Sequence, residues 1–136
     1  MKSTELKIGN YVHPYDRDDI YTSITELRHN LPVLVGYNSY NYDHVYPIKI
    51  TEEWLLMLGF ERLENHVWAD GSATTRLYKK GKLAIEKQDI TDGGPWILFR
   101  YTRSGGEYIT NADFVHQLQN LYFSLTGEEL TIKDLA

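Results

Sequence analysis

The feature that most constrains this 136-residue sequence is the segment YITNADFVHQLQNLYFSLTGEEL, residues 108–130. Apolar residues recur in it at spacings of four, three and four: Phe114, Leu118, Leu121 and Leu125. This spacing is typical of a helix with one buried side, and Val115 and Tyr122 flank the apolar stripe. Such a helix must be covered, so the pattern predicts that it packs on a sheet.

Both ends of this helix carry candidate capping residues. Thr110 and Asp113 have capping-box spacing, and Asn111 is an alternative N-cap. Gly127 stands where a left-handed residue ends many helices. Together these residues predict a helix from about Ala112 to Thr126.

Length and composition indicate one domain of residues 1–136, with possible sub-modules 1–50 and 60–136 joined by a helix over 52–58. Hydrophobic residues make up 42 % of the chain, enough for a folded core. There is no cysteine, which suits a reducing compartment. The first residues do not resemble a signal peptide and no run is long enough to span a bilayer, so we expect a cytoplasmic protein without membrane partners.

The first half of the chain alternates apolar and polar residues in short segments. This pattern predicts strands over residues 6–12, 20–27, 31–37 and 44–50, with a polar loop at 38–43. Pro47 lacks a backbone N–H, so the last strand is expected at an edge. Short, twisted strands of this kind favour a partly closed barrel.

The second half begins with the helix signature TEEWLLMLGF, residues 51–60. Thr51 is the predicted N-cap, Gly59 the C-terminal stop and Phe60 the residue that completes a Schellman motif. Turn signals after it predict a meander of strands 61–69, 73–79, 82–88 and 96–103, with a short edge strand at 107–109. The predicted fold class is therefore α+β, with mostly antiparallel strands, and Trp96–Phe99 as a central strand that the closing helix would cover.

Three blocks of the sequence, ELKIGNYV, PIKITEEWLLMLGF and FVHQLQNLYFSLTGEEL, appear in this order along the chain. They resemble a family of small uncharacterised proteins from Bacteroides-type gut bacteria, their phages and mobile elements. The resemblance implies a phage or mobile-element origin. It carries no activity, cofactor or catalytic residue.

No motif in the sequence identifies a catalytic activity. The five histidines are separate in sequence, none at metal-ligand spacing with another, and no phosphate-binding glycine loop or nucleophile elbow occurs. His116 is expected at the surface or boundary of its helix. We therefore expect no catalytic residue, cofactor or metal site, and we favour a small accessory protein that acts through protein contacts. An unrecognised hydrolase is the third interpretation.

Tyrosines are concentrated in the first half, where seven of the eleven precede residue 50: residues 11, 15, 21, 37, 40, 42 and 46. The densest group mixes tyrosine with asparagine, a composition common in adaptable recognition surfaces. The predicted recognition surface is Tyr37, Asn38, Tyr40, Asn41 and Tyr42. The alternative is a hairpin whose tyrosines pack across strands.

A basic stretch gives the second interpretation, association with nucleic acid. Residues 76–103 hold seven Lys and Arg against three Asp and Glu, although the whole chain has a net charge of −5. The candidate basic patch is Arg76, Lys79, Lys80 and Lys82. Because phosphate affinity depends on clustered cations, the excess of acidic residues predicts weak binding at most.

Overall fold

The computed structural model describes residues 6–14, 21–26, 33–35, 38–40, 45–63, 66–67, 73–74, 77–87, 96–102 and 105–133. The chain divides into two compact units, Met1–Lys49 with Phe114–Thr131, and Ile50–Asp113 with Ile132–Ala136. Each unit has a helix and an antiparallel five-stranded sheet, and the second has a further two-stranded sheet. The predicted α+β fold class is confirmed.

The sheet of the first unit is built from short strands in the order β4-β3-β2-β1-β5. Their bounds are β1 Tyr11–Pro14, β2 Thr22–Glu26, β3 Val33–Val35, β4 Asn38–Tyr40 and β5 Val45–Tyr46. Over the parts of these strands that the structure describes, the sheet is open rather than a closed barrel. The prediction of a loop over 38–43 is wrong for its first three residues, which pair with β3. β5 ends the sheet and stops just before Pro47, as its missing N–H requires.

One face of this sheet is buried, and the closing helix α2, Val115–Thr126, packs against β1. Val12, Ile24 and Val45 supply the buried side chains of the sheet. Packing of the C-terminal helix on a sheet is confirmed. The sheet that it contacts contains β1, whereas the sequence pattern pointed to the strand at Trp96–Phe99.

The start of α2 differs from the prediction. Residues as far as Ala112 belong to a strand, and Phe114 is the N-cap residue, with extended backbone angles. The Val115 N–H donates to the Ile48 carbonyl at 2.8 Å, and Phe114 pairs with Lys49 in an isolated bridge. This neighbouring segment satisfies the first helical N–H, so the predicted capping box does not form. The predicted stop at Gly127 is confirmed by its φ of 77°.

The second unit contains α1, Glu52–Met57, followed by a meander. Its main sheet has the order β12-β11-β10-β9-β6. The strand bounds are β6 Glu61–Leu63, β7 His66–Val67, β8 Ala73–Thr74, β9 Leu77–Lys80, β10 Leu83–Lys87, β11 Trp96–Thr102 and β12 Gly105–Ala112. β7 and β8 form a separate antiparallel pair. β11 lies inside the sheet as predicted, and β12 is longer than the expected 107–109.

Both ends of α1 follow the sequence signature. The Thr51 hydroxyl accepts from the Trp54 N–H at 3.2 Å. At the other end the Phe60 N–H donates to the Leu55 carbonyl and the Gly59 N–H to that of Leu56, which is the Schellman pattern. Gly59 has a φ of 93°, a conformation that residues with a Cβ rarely adopt. The local prediction for this helix is therefore confirmed at both caps.

Tyr122, on the buried side of α2, provides a test by pH. Burial raises the pKa of its phenol above 10.0, and the nearby Glu128 carboxylate adds to the effect. A raised folded-state pKa gives stability that is complete below the unfolded pKa and is lost as pH rises through the folded pKa. We expect the Tm of the wild type to fall more than that of Tyr122→Phe between about pH 9 and pH 11. Thermal unfolding followed by circular dichroism measures this, with Tyr108→Phe as the exposed control. If the Tm of the wild type and that of Tyr122→Phe fell equally with pH, the raised pKa of Tyr122 would be contradicted.

Candidate recognition surface

The outer face of the first sheet is rich in tyrosine. Strand alternation and the pairs Tyr11↔Ser23 and His13↔Tyr46 place one set of side chains on the face opposite Val12 and Ile24. We call this set the tyrosine face; it consists of Tyr11, His13, Tyr21, Ser23, Thr25 and Tyr46. It crosses the three neighbouring strands β2, β1 and β5.

Two aromatic rings of this face are in contact, and a third lies on the neighbouring strand. The rings of Tyr11 and Tyr21 meet edge to face, with centroids 5.9 Å apart at an interplanar angle of 88°. The next position along the β1–β2 ladder brings Tyr21 to the level of His13, which pairs with Tyr46 on the other side. Tyr21 is 46 % exposed and Tyr46 38 % exposed. The edge-to-face contact restrains the Tyr21 ring.

The residues of the tyrosine face carry aromatic rings, hydroxyl groups and one imidazole. None of them is Lys, Arg, Asp or Glu. Tyrosine gives a large contact area at low entropy cost, because its side chain has only two rotatable angles before the hydroxyl. Such a surface binds by shape, stacking and hydrogen bonds rather than by charge pairing.

The predicted recognition surface at residues 37–42 belongs in part to the same sheet. Asn38 and Tyr40 lie in β4, whose backbone pairs with β3 through Val35↔Asn38 and Val33↔Tyr40. Tyr37, Asn41 and Tyr42 lie outside the described residues. The sheet therefore joins β4 through β3 to the strands that carry the tyrosine face. The tyrosine face itself was missed as a group, although its tyrosines are among the seven that precede residue 50.

The predicted basic patch is divided by the fold. Lys80 donates from Nζ to the Leu58 carbonyl at 2.8 Å, where it caps the end of α1. Lys79 is the adjacent residue in β9, so strand alternation sends its side chain to the opposite face. Lys82 is exposed in the turn after β9, and Arg76 lies outside the described residues. The three described lysines therefore do not share one face.

A buried group of amides holds α2 to the start of β1. The Gln119 side chain accepts from the Tyr11 N–H at 2.9 Å and donates to the carbonyls of Gly9 and Leu130, each at 3.0 Å. The Asn10 side chain accepts from the Lys7 N–H at 2.7 Å and donates to the Asn120 side chain at 2.9 Å. We call Asn10, Gln119 and Asn120 the amide clasp. Its hydrogen bonds go to the protein's own groups, so its role is structural.

His116 is buried, with 1 % of its surface exposed, which corrects the prediction of a surface or boundary position. Its ring stacks with that of Phe114, with centroids 6.0 Å apart and an angle of 16°. Among the residues whose placement is described, no three His, Asp or Glu side chains lie close enough to hold a metal ion.

Neither helix in the described part of the chain has the length and apolarity needed to cross a membrane. The fold and surface define a small α+β protein with an aromatic sheet face. Comparison of the chain with family models, curated proteins and solved structures finds no match.

Proposed function

We propose that this protein is a small binding module that acts through protein contacts, and that its tyrosine face is the contact surface. The observation that supports the proposal is the exposure of Tyr21 and Tyr46 on one sheet face, next to Tyr11 and His13. Exposed aromatic residues that share one face are characteristic anchors of protein interfaces. In this proposal the module is of phage or mobile-element origin and works in the cytoplasm.

Exposed tyrosines on a strand face also suit nucleic acid, because bases stack on aromatic rings. Proteins that bind single strands in this way add a positively charged groove for the phosphates. The tyrosine face contains no Lys or Arg, and Lys80 is engaged at the end of α1. These two observations favour a protein partner over nucleic acid. A hydrolase remains the third interpretation, and none of the described residues favours it.

The proposal is tested by removing the two most exposed rings of the face. We expect Tyr21→Ala together with Tyr46→Ala to lose the partners that the wild type recovers from a host lysate, because truncating a central anchor costs about 2 kcal/mol or more of binding. Quantitative mass spectrometry of the recovered proteins measures the loss. Since both rings are partly exposed, the double variant is expected to keep most of its thermal stability.

The matched control is Tyr108→Ala, since Tyr108 is 58 % exposed and lies in β12 of the other unit. This variant should retain the wild-type partners. Equal recovery by the double variant and the wild type would contradict the proposal. So would submicromolar binding of a single-stranded oligonucleotide at physiological salt that requires Tyr21 and Tyr46.

A further inference from the structure

The main sheet of the second unit ends in a long edge strand. β12, Gly105–Ala112, has eight residues and stands at one end of the sheet order, and among the described residues only β11 pairs with it in the sheet. The strand at the other end, β6, has three residues, and its Arg62 donates to the Glu52 carboxylate at 3.0 Å. An edge strand presents a row of backbone N–H and C=O groups with which another extended chain can pair. Of the two edges of this sheet, β12 offers the longer row.

The first half of β12 is the accessible part of this edge. The side of the strand at residues 106–108 is exposed to solvent. The pairing with β11 then skips Ile109, and past the end of the strand the Asp113 carbonyl accepts from the Ile50 N–H. A bulge bends the strand that contains it and interrupts the ladder. Regular pairing with an added chain is therefore confined to Gly105–Tyr108.

The composition of this edge favours the approach of another backbone. Lysine and proline commonly block edge strands, and neither occurs in the β12 sequence GGEYITNA. Gly105 and Gly106 belong to the strand rather than to the turn, and they pair with Thr102 and Tyr101. Glycine weakens a strand, and it often marks a place where another backbone approaches closely. The two glycines have no side chains to cover the main-chain groups of this edge.

Glu107 gives the edge a preference for one sign of charge. It is the single charged residue of β12, it is exposed, and it stands opposite Arg100 of β11, which is also exposed. Opposite charges on neighbouring strands attract each other, and like charges repel. A Lys or Arg on an added strand would continue the alternation of sign outward from Arg100. A second copy of the chain fits less well, because antiparallel self-pairing over Gly105–Tyr108 brings two Glu107 carboxylates together.

From these observations we infer that the first half of β12 binds a short extended segment of a partner protein, which adds a strand to the sheet and carries Lys or Arg beside Glu107. Main-chain hydrogen bonds supply the affinity, and the basic side chain supplies the selectivity. The tyrosine face belongs to the other unit, so this inference goes beyond the proposed function. Tyr108→Ala leaves the main chain of the edge intact and is expected to keep this binding.

Proline substitutions at two adjacent positions identify the open side of β12. Successive residues of an antiparallel strand direct their N–H groups to opposite sides. Of Gly106→Pro and Glu107→Pro, one therefore removes a hydrogen bond to β11, and the other removes an N–H that points outward. Thermal unfolding distinguishes them, since the outward substitution keeps more of the wild-type stability. We call the more stable of the two the edge variant.

The probe for strand addition is a randomised display library of heptapeptides, selected on the full chain with counter-selection on the edge variant. We expect the selected peptides to be enriched in Lys and Arg. N-methylation of alternate residues of a selected peptide should weaken binding by about tenfold or more in one frame and by less than about threefold in the other, because only every second N–H bonds to β12. Equal effects in the two frames would overturn the inference, and so would a library from which no peptide distinguishes the full chain from the edge variant.

Charge reversal tests the role of Glu107. Glu107→Lys is expected to weaken binding of the selected peptides by about tenfold, and replacing the basic residue of the peptide with Glu should restore binding to this variant. Tyr108→Ala is the matched control and should bind within about threefold of wild type. Equal binding of the basic peptides by wild type and Glu107→Lys would overturn the inference. The proposed function is tested separately by Tyr21→Ala with Tyr46→Ala, which leaves β12 unchanged, so the failure of one can be told from the failure of the other.

Discussion

Gln119→Met is expected to lower the free energy of unfolding by about 2–5 kcal/mol, because it leaves one buried and two partly buried backbone groups without partners. The groups are the Tyr11 N–H and the carbonyls of Gly9 and Leu130. Gln119 is 1 % exposed, so water cannot readily replace its amide. Methionine has nearly the same length and shape, which separates the loss of hydrogen bonds from the creation of a cavity. A loss of this size is a large part of the stability of a small domain.

The matched control is Gln117→Met, two residues earlier on the same helix. Gln117 is exposed, and its side chain accepts a hydrogen bond from the Phe114 N–H at 3.2 Å. We expect this variant to lose about 1 kcal/mol or less. Urea unfolding of the wild type and both variants measures the difference. Similar losses at the two positions would mean that the amide clasp does not fasten α2 to β1.

The helix ends were predicted best where the signal is local. Thr51 and Gly59 act through residues within four positions of themselves, and the structure has both caps where the sequence placed them. Gly127 behaves in the same way. The start of α2 was predicted wrongly. The first N–H of the helix, that of Val115, donates to the carbonyl of Ile48, which is distant in sequence. A capping pattern reports only what nearby residues offer, and here a distant carbonyl accepts the first helical N–H, while Gln117 accepts that of Phe114.

The buried face of α2 was predicted with a rotational error. Hydrophobic spacing selected Phe114, Leu118, Leu121 and Leu125, whereas the buried residues are Val115, His116, Leu118, Gln119 and Tyr122. The predicted stripe shares only Leu118 with the buried residues, although Val115 and Tyr122, which were predicted to flank the stripe, are buried too. A count of apolar residues cannot detect a buried glutamine whose amide is satisfied by the backbone of another element. The amide clasp therefore defines the orientation of this helix in a way that hydrophobicity alone does not.

The tyrosine face depends on strand pairing that the local pattern does not contain. The excess of tyrosine before residue 50 covers the strands of this face, whereas the densest run of tyrosine in the sequence is at residues 37–42. Tyr11, Tyr21 and Tyr46 are each ten or more residues from the next, and the antiparallel registers of β1 bring them to one face. Register between distant strands is the information that a single sequence supplies least well.

Leu118 and Leu121 provide the sharpest test of the rotation of α2. Sequence spacing placed both at the centre of the apolar face, so it predicts similar losses when either is replaced by alanine. In the structure Leu118 is fully buried and Leu121 is only partly buried. We expect Leu118→Ala to lower the free energy of unfolding by about 2–5 kcal/mol, since it removes buried methyl groups and leaves a cavity. Leu121→Ala should cost about 1 kcal/mol, because its side chain is incompletely removed from water in the wild type.

Both leucine variants change the same side chain on the same helix, so differences in helix propensity cancel between them. Leu125→Ala, at the more exposed end of the predicted stripe, extends the series and should cost no more than Leu121→Ala. Urea unfolding with a common m-value measures all three losses on one scale. Equal losses of unfolding free energy for Leu118→Ala and Leu121→Ala would support the buried face that sequence spacing predicted. A much larger loss at Leu118 would support the helix orientation seen in the structure. In that orientation, which the hydrogen bonds of Gln119 hold, Leu118 is fully buried and Leu121 lies at the margin of the core.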